Sequence, residues 1–145
     1  MSSRRQFIKN SSKAAAGIYL GALGFSAKSY GRILGANDRV GVGVIGYSDR
    51  FRQSLFPSFM NHSKELNVDI IAVSDTWKLR REEGQAFLKQ KLAHDVTPYI
   101  NNEELYRNKD VDAVFISTTD FQHALHTVEA VKAGRDAYTE KPFAE

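Results

Sequence analysis

Short apolar, β-branched runs alternate along this chain with longer stretches whose apolar residues recur at helical spacing. The runs occupy residues 40–45, 68–73 and 111–116, and each is followed by glycine or serine. This texture is typical of strands buried on both faces of a parallel sheet. Helices are predicted between the runs, over residues 54–63, 79–93, 102–107 and 121–133. A short extra strand is predicted at residues 99–100, and a last strand is expected to end near Tyr138.

This alternation restricts the topology to a few arrangements. Successive β-α-β units require right-handed crossovers, which produce a parallel sheet with helices on both faces. The expected fold class is therefore α/β, a Rossmann-type doubly wound parallel sheet in a single domain, since 145 residues fill one hydrophobic core. Ligands of such sheets bind outside the carboxyl ends of the strands, here the residues that follow 45, 73, 116 and 138.

Local signals predict where the first and last helices begin and end. Pro57 is tolerated only near a helix start, so Ser54 is the expected N-cap of the first helix. Gly134 is expected to end the last helix. The apolar residues of that helix that fall near helical spacing are Ala124, Leu125, Val128 and Val131.

The basic residues are concentrated at the start of the chain. Five of the 20 Lys and Arg residues, and no acidic residue, precede Ser29, so the remainder carries 15 basic and 17 acidic side chains. Because those later charges are interspersed, the composition argues against a nucleic-acid partner. Residues 3–9 include Arg4 and Arg5 and match the twin-arginine export pattern, and an apolar run follows at residues 14–25.

These features predict a twin-arginine signal peptide over residues 1–29 and a linker over 30–38, ahead of the Rossmann-type domain over 39–145. The apolar run is shorter than the roughly 20 residues that a membrane-spanning helix needs, so no stable membrane anchor is expected. The export machinery is then a partner, and the expected location is periplasmic or otherwise extracytoplasmic. The chain contains no cysteine, which excludes disulfides and thiolate chemistry.

A Gly-x-Gly-x-x-Gly pattern at Gly41, Gly43 and Gly46 lies in the wrong place for a dinucleotide fingerprint. Its first two glycines fall inside the first predicted strand, whereas the fingerprint acts at the turn from strand to helix. The functional frame therefore begins at Gly46, with Ser48 and Phe51 at the next two glycine positions. Because glycines there permit close approach to phosphate and close helix packing, a displaced helix or a wider loop is expected.

This turn is nevertheless predicted to bind the phosphates of a dinucleotide. The candidate cofactor-binding residues are Gly46, Tyr47, Ser48, Asp49 and Arg50. A serine hydroxyl can donate to phosphate, and either Arg50 or Arg52 can neutralise its charge. The alternative is an ordinary turn with solvated charges.

Asp75 follows the second predicted strand. A carboxylate at this position accepts hydrogen bonds from both ribose hydroxyls of adenosine and repels a 2′-phosphate, which favours NAD over NADP. Arg80 and Arg81 lie close in sequence and weaken that preference, so NADP stays an alternative. Asp is also a common N-cap residue, and Asp75 then only starts the following helix.

Three further segments carry a resemblance to a known family. They are the lead-in Asn37-Asp38-Arg39, the helix exit Lys132-Ala133-Gly134 and the sequence Tyr138-Thr139-Glu140-Lys141-Pro142. Together they resemble the Gfo/Idh/MocA oxidoreductases, the glucose–fructose oxidoreductase and inositol dehydrogenase family, over residues 37–145. The resemblance implies an NAD(P)-dependent oxidoreductase that acts on a sugar or polyol-like substrate, and it leaves room for a homo-oligomer.

The resemblance also assigns roles to individual residues. Lys141 matches the family's lysine between nicotinamide and substrate, where a positive charge stabilises the developing alkoxide. Glu140 and Pro142 complete that cofactor-binding motif. The family's substrate domain, with its usual His and Asp proton carriers, is absent from this chain, which is therefore expected to be truncated and inactive by itself.

Residues 117–123 resemble the family's turn under the nicotinamide half of the cofactor. Thr118, Thr119 and His123 are the candidate contacts, and Thr119 stands where the family usually has proline. His123 and His126 are three residues apart on a helix, but no third ligand is evident, so no metal is assigned.

Two other functions stay open at this point. Some exported relatives resemble NAD-dependent glycosidases, in which the same residues serve net hydrolysis and the cofactor is unchanged at the end of the cycle. The third interpretation is a regulatory or structural nucleotide-binding module without chemistry.

Overall fold

The computed structural model describes residues 39–143, so the predicted signal peptide and linker lie outside the described residues. Five strands form one parallel sheet in the order β3-β2-β1-β4-β5. Their bounds are β1 Val40–Ile45, β2 Val68–Ser74, β3 Thr97–Tyr99, β4 Ala113–Ile116 and β5 Asp136–Thr139. The predicted Rossmann-type α/β sheet is confirmed, and its winding reverses direction between β1 and β4.

Helical segments connect the consecutive strands. A π-helical turn Phe51–Leu55 leads into α1 Phe56–His62, α2 is Lys78–Leu92, α3 is Asn102–Arg107, and a 3₁₀ turn Asp120–Gln122 leads into α4 His123–Lys132. None of the helices within residues 39–143 is long and apolar enough to cross a membrane.

The sheet buries both of its faces, as the β-branched runs predicted. Neighbouring residues of one strand point to opposite faces, and they belong to two separate apolar clusters. One cluster contains Val44, Val73, Phe51 and Leu88, and the other contains Ile45, Ala72, Leu105 and Ala130. Helices therefore cover the sheet on both sides, which leaves the carboxyl ends of the strands as the open edge for a ligand.

The first helical segment starts earlier than the sequence predicted. Residues 49 and 50 are already helical, and Ser48 Oγ accepts a hydrogen bond from the Phe51 N–H at 3.1 Å. The N-cap is therefore Ser48 and not Ser54. Pro57 lies directly after the π-helical turn, in which the Phe56 N–H donates to Phe51 O. Because proline has no N–H to donate, this change of hydrogen-bond pattern allows it inside a continuous helical segment.

Helix α4 ends as predicted, but its apolar residues face outward. Gly134 has a φ of +72°, and its N–H donates to Val131 O at 3.0 Å, which is a left-handed helix stop. His123 and Ala130 occupy the buried side of the helix. The exposed fractions are 55% for Leu125, 47% for Val128 and 63% for Val131. Helical spacing located the helix, while its neighbours in the fold determined which face is buried.

Two strand boundaries differ from the prediction for local reasons. Val111 is buried, but its N–H donates to Asn108 O at 3.2 Å, so it belongs to the turn before β4. Strand β3 begins two residues earlier than predicted and contains Pro98. Proline is tolerated there because β3 is an edge strand and has a neighbour on one side only.

Candidate functional site

A cleft of about 580 Å³ opens at the carboxyl ends of β1, β2 and β4. This is the edge at which the topology predicted a ligand, next to the reversal of winding between β1 and β4. Residues from three strand-to-helix turns and from α3 and α4 line it, among them Gly46, Tyr47, Ser48, Asp75, Thr76, Asn102, Thr118, Thr119, His126 and Glu129.

The turn after β1 has the geometry of a phosphate-binding turn. Gly46 has a φ of +83°, and a Cβ atom at this position would lie 2.9 Å from Ser117 O, so the tight turn requires glycine. Ser48 caps the first turn of the helix, in which the N–H groups of Asp49 and Arg50 have no intrahelical acceptor. A helix start with free N–H groups attracts anions. Ser48 Oγ also hydrogen-bonds Ser117 Oγ, which ties this turn to the one after β4.

Phe51, at the third glycine position of the fingerprint, is fully buried away from the cleft. Its ring packs against those of Tyr47, Phe56 and Phe115 at centroid distances of 6.1 to 6.2 Å. The expected displaced helix or wider loop takes the form of the π-helical turn that begins at Phe51. The adjustment leaves the start of the helix pointing at the cleft while a large side chain fills the core behind it.

The two arginines of this turn do not line the cleft. Arg50 Nε lies 3.3 Å from Glu140 Oε1, and the Glu140 side chain is 7% exposed. Arg52 Nη2 lies 3.1 Å from Asp49 Oδ1. The contact of Arg50 instead joins the turn after β1 to the end of β5. The groups of this turn that could meet a phosphate in the cleft are therefore backbone N–H groups and the serine hydroxyl.

Asp75 lines the cleft, and its carboxylate accepts hydrogen bonds from the backbone of the turns after β1 and β2. Its Oδ2 accepts a hydrogen bond from the Tyr47 N–H at 3.1 Å, and its Oδ1 accepts one from the Trp77 N–H at 2.9 Å. The N-cap residue of α2 is Trp77, without a side-chain cap, so Asp75 is not the N-cap. Each carboxylate oxygen keeps a second lone pair for a ribose hydroxyl. Arg81 donates to the backbone O of Asp75 at 2.6 Å, and within residues 39–143 the Asp75 carboxylate forms no ion pair.

His123 lies behind the cleft instead of in its wall. The side chain is 1% exposed, with Nδ1 2.9 Å from Pro142 O and Nε2 3.2 Å from Thr118 O. These contacts tie the turn after β4 to the segment after β5. Thr118 and Thr119, the other two candidates of this turn, line the cleft.

Lys141 is exposed and follows the end of β5. It forms no ion pair with the part of the chain from 39 to 143. Both neighbours are held, because Glu140 pairs with Arg50 and the backbone O of Pro142 contacts the His123 ring. The backbone around Lys141 is thus fixed to two other elements, while its ammonium group stays available for a partner.

The sequence did not predict the contribution of α3 and α4 to the cleft. Gln122, His126 and Glu129 line it, and their spacing of four and three residues places them on one face of a helix. That polar stripe was the signal available in the sequence. Asn102 joins this wall to β2, since its Oδ1 accepts from Ser74 Oγ at 2.9 Å and its Nδ2 donates to Glu129 Oε2 at 3.5 Å.

The cleft is acidic. Among the residues that the structure describes, its lining includes the carboxylates of Asp75, Glu103 and Glu129 and no Lys or Arg. Burial lowers the pKa of His126 below its ordinary value, and the negative charge of Glu129 opposes that effect. Within residues 39–143, no group of three or more His, Asp or Glu side chains is arranged to hold a metal ion.

Together, the glycine turn, the exposed helix start and the carboxylate after β2 define a dinucleotide-binding Rossmann domain. The family model for GFO/IDH/MocA proteins, described as an oxidoreductase family with an NAD-binding Rossmann fold, matches residues 40–145. The chain belongs to this family, as its sequence resemblance indicated, and its domain is an NAD-binding Rossmann domain.

The chain spans about a quarter to a third of the length of the curated relatives it matches. A 1-carboxy-3-chloro-3,4-dihydroxycyclo hexa-1,5-diene dehydrogenase of Comamonas testosteroni is 32% identical over 71% of this chain and 24% of its own. A glycosyl hydrolase family 109 protein of Solibacter usitatus is 32% identical over 98% of this chain and 33% of its own. An inositol 2-dehydrogenase of Agrobacterium fabrum is 29% identical, with coverages of 58% and 25%.

Solved structures share the fold at low sequence identity. The WlbA dehydrogenase from Bordetella pertussis, in complex with NADH and UDP-GlcNAcA, matches with a TM-score of 0.63 and 19% identity over 75% of this chain and 30% of its own. KijD10, a 3-ketoreductase from Actinomadura kijaniata in complex with NADP and TDP-benzene, matches with a TM-score of 0.61 and 24% identity over 72% and 30%.

Proposed function

We propose that this chain is the cofactor domain of an oxidoreductase that moves hydride between nicotinamide and a hydroxyl-bearing carbon of a sugar or polyol-like substrate. The observation that carries the proposal is the meeting of the Gly46 turn and the Asp75 carboxylate in one cleft. The nicotinamide ring supplies the hydride chemistry. The chain's own residues bind the phosphates at the start of the first helical segment, hold the adenosine ribose at Asp75 and present Lys141 at the end of β5.

Lys141 carries the positive charge that such a reaction needs near the substrate oxygen. When hydride leaves an alcohol carbon, negative charge develops on the oxygen, and a fixed positive charge nearby stabilises it. The ties of Glu140 and Pro142 to other elements reduce the freedom of the Lys141 backbone. We therefore assign Lys141 as the residue that polarises the substrate oxygen.

The test of the proposed function is a turnover assay on a chain of the relatives' full length, with NAD and a panel of sugars and polyols. Stoichiometric formation of NADH together with a ketone or aldehyde product supports hydride transfer to the cofactor. Failure of every such substrate to reduce NAD in a protein that binds NAD would overturn it.

A glycosidase is the second candidate, and one observation favours it. Two glycosyl hydrolase family 109 proteins match nearly the whole chain, over 98% and 97% of its length, whereas the inositol 2-dehydrogenase matches 58%. In that mechanism the cofactor is reduced and reoxidised within one cycle. Release of a free sugar from a glycoside, with no net change in NAD, would identify this function instead of net oxidation.

Cofactor choice is predicted to depend on Asp75. Asp75→Ala removes the acceptors for the ribose hydroxyls, at a cost of about 1–3 kcal/mol for the unpaired partners, and it removes the repulsion of a 2′-phosphate. NAD affinity should therefore fall more than NADP affinity in parallel titrations. The exposed Glu82→Ala variant on α2 serves as the control for loss of a surface carboxylate. Equal losses for both cofactors would mean that Asp75 acts only by holding Tyr47.

We further propose that the protein is exported in the folded state through the twin-arginine machinery, because residues 3–9 carry that pattern ahead of the apolar run at residues 14–25. Changing Arg4 and Arg5 to Lys should leave unprocessed protein in the cytoplasm, while Arg32→Lys, outside the pattern, should not. Cell fractionation with an antibody against the domain measures this. Normal processing of the double variant would count against export by this route.

If export holds, purified protein should retain its dinucleotide, since free NAD is not expected outside the cytoplasm.

A further inference from the structure

The wall of the cleft formed by α4 and the turn before it contains polar side chains to which no part of the dinucleotide is assigned. Gln122 of the 3₁₀ turn and His126 and Glu129 of α4 line the cleft, although a stripe of apolar residues lies exposed on the outer side of that helix. Polar side chains on the inner side of a helix are costly unless they meet partners there. The partners within the fold account for Glu129, through Asn102, and leave His126 with a free nitrogen.

His126 is held in place by two neighbours. Its Nδ1 lies 3.2 Å from Thr118 Oγ1, and its backbone O accepts a hydrogen bond from the Tyr106 hydroxyl at 3.3 Å. Among the described residues, Nε2 has no hydrogen-bond partner. Because burial lowers the pKa of His126, the neutral imidazole prevails at neutral pH, with one N–H donor and one acceptor nitrogen.

The place of His126 in the topology indicates which half of a dinucleotide it meets. The turns after β1 and β2 hold the phosphates and the adenosine ribose, at Gly46 and Asp75. In a doubly wound sheet the second half of the dinucleotide crosses the reversal of winding to the side of the following strand, here β4. Thr118 and His126 form the wall on that side. A dinucleotide bound in this way would therefore bring its nicotinamide riboside to His126.

A neutral histidine suits that half of the ligand. The oxidised nicotinamide ring is positively charged, so a neutral side chain avoids the repulsion that Lys or Arg would impose. The ribose hydroxyls and the carboxamide both donate and accept hydrogen bonds, and either can pair with the free Nε2.

We propose that His126 is a dinucleotide-binding residue that hydrogen-bonds the nicotinamide riboside through Nε2, with Thr118 positioning its ring. The proposal rests on dinucleotide binding at this cleft and adds a residue to it. It assigns His126, and not the buried His123, as the histidine that contacts the cofactor on this side of the sheet.

The test compares three ligands with the 145-residue chain and its variants by isothermal titration: AMP, ADP-ribose and NAD. His126→Ala should leave AMP affinity unchanged and should weaken NAD by about tenfold, the usual value of one hydrogen bond to a ligand. A loss that already occurs with ADP-ribose assigns the contact to the ribose, and a loss confined to NAD assigns it to the carboxamide. Thr118→Val should give a smaller loss with the same ligand pattern.

Two controls separate this role from a structural one. His62→Ala changes an exposed histidine at the end of α1 and should leave all three affinities unchanged. His126→Asn keeps a donor and an acceptor, so it should recover part of the NAD affinity, and equal thermal unfolding of each variant shows that the fold is intact.

The outcomes also separate a failure of the His126 proposal from a failure of the proposed dinucleotide site. Equal losses for AMP and NAD in His126→Ala, or unchanged NAD affinity in that variant, would overturn the role of His126 while dinucleotide binding stands. Failure of the unmodified chain to bind any of the three ligands would overturn the dinucleotide site itself.

Discussion

Replacing Lys141 by alanine, in a protein of the relatives' full length, is expected to lower turnover by about 10²–10³-fold, because one fixed charge at a developing oxyanion contributes about 3–4 kcal/mol. Affinity for NAD should change much less, since the proposed contacts to the phosphates and the adenosine ribose follow β1 and β2, whereas Lys141 follows β5. Steady-state kinetics and a dinucleotide titration on the same preparation measure the two effects separately.

The matched control for Lys141 is Lys132→Ala, which removes an exposed lysine from the last turn of α4. Turnover of that variant should equal that of the unmodified protein. If Lys141→Ala keeps full turnover, or loses turnover and NAD affinity in equal proportion, the residue holds the cofactor or the fold and does not act on the substrate.

Replacing Gly46 by alanine is expected to abolish measurable NAD binding and to destabilise the domain. Its φ of +83° costs a side chain about 1–3 kcal/mol in backbone strain. The new Cβ would also lie 2.7 Å from Thr118 Cγ2 and 2.9 Å from Ser117 O, and overpacking of this kind costs about 1–3 kcal/mol. Relief of that contact must move the turn after β1 away from the turn after β4, which distorts the phosphate site.

Gly134 provides a close control, because it has a φ of +72° and a Cβ there would meet nothing within 4 Å. Gly134→Ala should show the backbone cost alone and keep NAD binding. Denaturant unfolding and NAD titration of the two variants, side by side, isolate the effect of the contact between the two turns. Equal effects of both substitutions would show that the tight approach at Gly46 is unimportant for the cofactor.

The sequence predicted the sheet well because burial on both faces leaves a local signature. Strand β1 and helix α3 have the predicted bounds. The start of the first helical segment was missed because Pro57 suggested a later start, and a π-helical turn that accommodates it leaves no pattern in the residues themselves. The outward apolar face of α4 was missed for a different reason. Helical spacing groups residues by face, but only the neighbouring elements decide which face is covered.

The sequence predicted the site residues that follow the strands, but it did not predict the helix residues that line the cleft. Topology placed Gly46, Asp75 and Thr118 at the same edge, and all three line the cleft. Helical spacing could not show whether His123 or His126 faces the cleft, because the two residues lie three apart on one helix. The choice depends on the segment after β5, whose Pro142 O occupies the space beside His123. Contacts between residues so distant in sequence leave no trace in a local pattern.

The acidic lining of the cleft has a consequence for the redox potential of the bound cofactor. Reduction removes the positive charge of the nicotinamide ring, and Asp75, Glu103 and Glu129 are carboxylates in the same cleft, with no Lys or Arg among the lining residues. Negative charges on the nicotinamide side of the cleft, of which Glu129 beside His126 is one, would stabilise the oxidised ring more than the reduced one. We expect tighter binding of the oxidised form to shift the midpoint potential of the bound couple downward, so that the reduced cofactor held here would be a stronger reductant than the same molecule in solution.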